Sequence, residues 1–126
     1  MMHTLSIVAM LVAIAQPATR LSIQPWTGTD LQTTTAEAAK YRLEVTGPPN
    51  ATIRLQASNV ATGWLAAFCT PKLCSPQRLD AQLPRSGQIV LQFELIRESQ
   101  DAPKHSGATI TGGDGASVTV PAAYRQ

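Results

Sequence analysis

Over residues 88–97 the chain alternates, with Ile89, Leu91, Phe93 and Leu95 on one side and Gln88, Val90, Gln92 and Glu94 on the other. A period of two held over the eight residues 88–95 is a strand with one buried face, and no amphipathic helix reproduces it. A strand of this kind folds only against other strands, so the segments around it decide the class. Residues 41–45 alternate with Tyr41, Leu43 and Val45 inward, and Gly47-Pro48-Pro49-Asn50 stops them. Ile53, Leu55 and Ala57 share one face of the next segment, and Trp64, Ala66 and Phe68 share one face of the segment after it. Leu79, Ala81 and Leu83 form a short strand that ends at Pro84, and residues 108–111 and 116–120 flank a Gly112-Gly113-Asp114-Gly115 turn. Irregular early strand structure is expected over residues 21–31. About seven short strands, with turn signals every eight to twelve residues, predict an all-β antiparallel sandwich.

The first fifteen residues stand apart. Residues 5–15 are eleven consecutive uncharged, mainly apolar residues, and Ala13-Ile14-Ala15 supplies a small-x-small pattern. About 20 apolar residues are needed to span a bilayer, whereas 7–15 suit the core of a secretory signal. Residues 1–15 therefore read as a signal peptide cleaved between Ala15 and Gln16, although the segment ahead of Leu5 has no Lys or Arg. This predicts a single domain over residues 16–126, in the periplasm or secreted, with no membrane span after signal removal. The 111 residues that remain match the size of a β-sandwich of about 100 residues.

Ten Lys+Arg against eight Asp+Glu leave a net charge of +2, with charged residues at 14%. That balance gives no electrostatic footprint for nucleic acid. Two cysteines and two histidines are too few for a closed zinc site or an iron–sulfur cluster. With the signal removed, His105 is the one histidine left, placed by its neighbours in a polar connector over residues 97–107. A Ser-His-Asp arrangement and a blue-copper site both lack their parts. Glu44 and Glu94 fall on the outward phase of their strands, so both are expected in solvent, as is Gln92, whose replacement should matter little. Asp114 alone cannot make a calcium loop of the Gly-rich turn. No cofactor and no enzymatic activity are expected.

Two features stand out as candidate sites. Cys69-Thr70-Pro71-Lys72-Leu73-Cys74 places two thiols five apart, with Pro71 set to turn the chain. In an oxidising compartment such a pair forms a disulfide, with Cα atoms about 5–6 Å apart and roughly 2 kcal/mol of stabilisation from closing a short loop. Its spacing differs from the Cys-x-x-Cys of redox enzymes, so a staple is the first reading and a redox pair the second. Trp64 alternates with core residues and is expected inside. Trp26 follows Pro25 in an irregular stretch and is the candidate exposed contact for a partner or a sugar.

Taken in order, the Gly63-Trp64 pair opening a strand, the Pro84-Arg85-Ser86-Gly87 turn before residues 88–97 and Ala102-Pro103 ahead of Gly107 carry a resemblance. Over residues 41–120 the chain resembles bacterial immunoglobulin-like domains that accompany secreted glycosidases, and the immunoglobulin-like tail of a cytochrome-oxidase accessory protein. The Cys69/Cys74 pair departs from most of these domains. The resemblance implies an immunoglobulin-like sandwich and export, and it transfers no catalytic residue. The expected function is a non-enzymatic binding or structural accessory module with a protein partner. The alternatives are a carbohydrate-binding module and a thiol–disulfide participant in the periplasm.

Overall fold

The structure is a computed structural model and describes residues 18–29, 31 and 38–124; the segment read as a signal peptide and its Ala15/Gln16 cleavage site lie outside the described residues. Among the described residues there are nine strands: β1 (Arg20–Pro25), β2 (Ala39–Thr46), β3 (Thr52–Ser58), β4 (Trp64–Cys69), β5 (Cys74–Pro76), β6 (Arg78–Gln82), β7 (Gln88–Arg97), β8 (His105–Thr111) and β9 (Ser117–Tyr124). They form a five-stranded sheet, β1-β2-β7-β4-β5, and a four-stranded sheet, β6-β3-β8-β9. Every pairing is antiparallel. This is an all-β antiparallel sandwich, consistent with an immunoglobulin-like fold. Among the described residues no helix is long and apolar enough to cross a membrane.

β1 falls in the stretch where irregular early strand structure is expected, and β5 is the one strand with no counterpart in the sequence reading. β1 is regular, with Leu21 and Ile23 turned toward the core, and it ends just before Trp26. β5 has three residues and ends at Pro76, too short for any period to be read. Its place comes from β4, which it follows through a tight hairpin.

The core lies where the alternation put it. Leu43, Val45, Leu55, Phe68, Leu91, Phe93, Leu95 and Ile110 are fully buried between the sheets. Phe68 and Phe93 pack as a tilted aromatic pair at 5.1 Å, and Tyr41 flanks Phe93 at 6.3 Å. Tyr41 is partly buried, and that desolvation raises its phenol pKa above the ordinary value. Trp64 is in the core as expected, and its indole N–H donates to the Pro103 carbonyl at 2.6 Å.

That bond also revises the expected loop. The connector runs over residues 98–104, because β8 begins at His105, an exposed strand residue. Arg97 pins the connector by donating to the carbonyls of Gln100 and Ala102, and Ala102 is buried.

The two sheets are joined along both flanks. Between β5 and β6, Gln77 adopts a left-handed backbone, φ 66°. Its N–H donates to Ala66 of β4 at 2.9 Å, and its carbonyl accepts from Ala57 of β3 at 2.8 Å, so one residue bonds to both sheets. On the other flank β1 and β9 lie side by side. There the Thr19 N–H reaches the Asp114 carboxylate at 3.3 Å, and the Tyr41 hydroxyl donates to the Pro121 carbonyl at 3.3 Å.

Candidate functional site

Chemistry-bearing side chains gather on the outer face of the five-stranded sheet. Opposed residues of antiparallel strands share a face, so the register reads this face row by row. One row runs Lys40 (β2), Glu94 (β7), Ala67 (β4), Pro76 (β5); the next runs Gln24 (β1), Arg42, Gln92, Cys69, Cys74. Trp26 extends the first row, since its backbone N–H donates to the Lys40 carbonyl at 3.0 Å.

This face is not simply solvated. Gln92 is 0% exposed and Glu94 1%, which corrects the expectation that both point into water. Leu31, between β1 and β2, lies here. The Leu31 N–H donates to Gln92 Oε1 at 2.8 Å, and Gln92 Nε2 donates to Glu94 Oε1 at 2.9 Å. Ala38, just ahead of β2, is buried as well. Strand periodicity identifies which residues share a face, but not whether a second layer covers it. The available signal was the length of chain between residues 25 and 39, far beyond what a hairpin needs.

Both ends of the Gln92 amide are thus committed, one to the half-buried Leu31 and one to the buried Glu94. Gln92→Ala removes the bonds to Leu31 and to Glu94, and is expected to cost about 1–3 kcal/mol. Chemical denaturation of the two proteins checks this; a loss below about 0.5 kcal/mol, the surface norm, would contradict the buried network.

The disulfide stands beside these groups. Cys69 and Cys74 are bonded, S–S 2.04 Å, and are directly opposed across the β4–β5 hairpin. Their Cα atoms are 3.9 Å apart, closer than the expected 5–6 Å. The hairpin is the reason: the Thr70 N–H bonds the Leu73 carbonyl at 2.8 Å, which leaves Cys69 and Cys74 as the next, non-hydrogen-bonded pair, where antiparallel strands come closest. Thr70 Oγ1 accepts from the N–H groups of Lys72 and Leu73 and closes the tip around Pro71. Cys69 is fully buried and Cys74 half-buried, while Leu73 at the tip is 49% exposed, the large hydrophobic residue on the surface among those described. A Glu94 carboxylate oxygen and the two sulfurs all lie within 4.8 Å of one another. Bonded to each other, the sulfurs are not thiolates and do not ligate a metal.

Trp26 is half-buried, and its indole N–H is buried with no hydrogen-bond partner among the described residues. Trp26, the contact anticipated as exposed, is thus half-buried.

A second feature lies on the other sheet. A cleft of about 500 Å³ is lined by Pro48, Ala51, Ile53, Arg54, Asp80 and Asp114, with Thr19, Thr52 and Gly113. Arg54 and Asp80 form an exposed ion pair at 3.7 Å across β3 and β6. The Thr19 side chain holds the Asp114 carboxyl below its ordinary pKa, aided by the Thr19 and Ala116 backbone N–H groups against a smaller desolvation effect. Beside the cleft, β6 pairs only with β3 among the described residues. Leu83 N–H to Ala51 and Ala57 N–H to Gln77 set the ladder phase, so Leu79 and Ala81 bond inward while Arg78, Asp80 and Gln82 turn their backbone groups outward.

Compared with known proteins, the sequence matches no family model, and no curated protein matches it.

Proposed function

We propose that this protein is an exported, non-enzymatic binding or accessory module that takes an extended segment of a protein partner along the edge of β6. The observation that carries this reading is the pairing of an open edge with a cleft: β6 offers outward backbone groups at Arg78, Asp80 and Gln82, and the 500 Å³ cleft opens beside them at Asp80. Strand addition needs both parts, since main-chain bonds supply affinity and an adjacent pocket for alternate side chains supplies specificity. Export rests on the signal-like residues 1–15. The likeness to accessory domains of exported enzymes fits a module that works beside a larger partner.

The alternative edges are less open. β1 and β9 lie against each other, and β5 is three residues long. The β6 edge carries exposed Arg78 and Asp80, charges of the kind that discourage indiscriminate edge pairing. A partner strand is therefore selected by charge as well as shape.

Asp80→Pro removes one outward N–H together with the exposed ion pair to Arg54, and leaves the backbone bonds between β6 and β3 in place. Binding of a partner captured from the exported fraction is expected to fall about tenfold or more, with the circular dichroism and melting of the domain unchanged. Trp26→Ala should leave capture intact. Retention on insoluble glycans that disappears with Trp26→Ala, together with partner capture indifferent to Asp80→Pro, would overturn this reading in favour of carbohydrate binding.

A further inference from the structure

We infer that Cys69 and Cys74 form an exchange-competent thiol–disulfide pair in which Cys74 meets the external reactant and Glu94 carries the proton of Cys69. This activity is independent of partner binding at β6. Three observations support it. The two cysteines differ in exposure, Cys69 being fully buried and Cys74 half-buried. A carboxylate oxygen of Glu94 lies within 4.8 Å of both, a gap that one water molecule or rotation of a released Cys69 side chain spans. Glu94 is itself buried, its Oε1 held at 2.9 Å by Gln92, which is tied to the Leu31 backbone. A staple needs no such carboxylate. A positioned carboxylate within reach of a released thiol is a group able to take its proton.

The step runs as follows in the oxidising direction. The Cys74 thiolate attacks a disulfide of a partner protein or small molecule, forming a mixed disulfide and releasing one partner thiolate. The buried Cys69 thiol passes its proton to the Glu94 carboxylate. The resulting Cys69 thiolate attacks Cys74 Sγ, the mixed disulfide breaks, and the second partner sulfur leaves as a thiolate and takes the proton from Glu94. Two electrons pass from the Cys69/Cys74 pair to the partner disulfide, and the reverse sequence reduces Cys69–Cys74 with a dithiol. The hairpin tip suits the encounter, because Leu73, exposed and adjacent to Cys74, offers an apolar landing point.

The test uses the folded, oxidised protein with glutathione as the thiol. Quenching by rapid alkylation and mapping the adduct by mass spectrometry should place glutathione on Cys74. An adduct on Cys69, or a pair that resists glutathione while folded and exchanges only in denaturant, would overturn the inference. The second measurement is closure of the reduced pair by oxidised glutathione. Glu94→Gln should slow closure about 100-fold in the folded protein, the scale of one positioned acid–base group, and leave the rate in denaturant unchanged. Equal folded-state rates would remove Glu94 from the step. Should the Glu94→Gln protein not fold, the adduct map of the unaltered chain still decides between Cys74 and Cys69.

Discussion

Phe93→Ala is expected to destabilise the domain by about 3–5 kcal/mol, the range for truncating a buried aromatic residue. Phe93 lies at the middle of β7, the strand shared by β2 and β4, and is fully buried. Its ring meets Phe68 from the neighbouring β4 and Tyr41 from β2. Removing it opens a cavity bordered by both rings, which the flanking strands cannot close without breaking their ladders. A domain of this size has about 5–15 kcal/mol in total, so the variant is expected near the folding threshold. Urea denaturation should show the midpoint falling with the slope unchanged. Arg54→Ala, at a side chain 79% exposed, should stay within about 0.5 kcal/mol. Equal effects at the two positions would mean that the face of β7 carrying Phe93 is not the core.

Gly87→Ala is expected to cost roughly 2–5 kcal/mol, combining a left-handed backbone without glycine with a local clash. Gly87 closes the turn from Pro84, its N–H donating to the Pro84 carbonyl at 2.9 Å, with φ at 74°. A Cβ there would stand 2.5 Å from the Gly47 carbonyl oxygen. That oxygen belongs to rigid backbone, because the Gly47 N–H bonds the Gly87 carbonyl at 2.8 Å. The two turns at this end of the sandwich must therefore separate to admit a methyl group. Ser86→Ala, next in the chain and exposed, is the matched control and should change stability by less than about 0.5 kcal/mol. A Gly87→Ala loss no larger than that would show that the turns slide apart freely.

The acid limb of stability follows from Asp114. Its carboxyl is held below the ordinary value by the Thr19 side chain. A depressed carboxyl contributes stability that is present above its unfolded pKa and is lost as pH falls through its folded pKa. The group is exposed, so the effect on the β1–β9 flank is small.

The inward faces were legible because they depend on period alone. Leu43, Leu55, Phe68, Leu91, Phe93 and Ile110 lie inside as the alternation indicates, and the Cys69/Cys74 bond follows from a turn centred on Pro71. The same period misplaced Gln92 and Glu94. Alternation divides a strand into two faces and is silent on whether the second face is covered, and that depends on where a distant connection lies. Trp26 shows the same limit, since Pro25 marks the end of a strand but not what the next side chain meets.

The sequence by itself determined the class of fold, most of the strand segments and the disulfide, because hydrophobic period, turn residues and short-range cysteine spacing are all local properties. Only the tertiary structure decided which strands are edges, where the cleft opens, and that Glu94 lies within 4.8 Å of both sulfurs. Those arrangements join residues on separate strands, and they arise from sheet order and register. No local pattern encodes them, because the same alternating strands satisfy their hydrophobic faces in many orders, and the order is selected by packing of the whole sandwich.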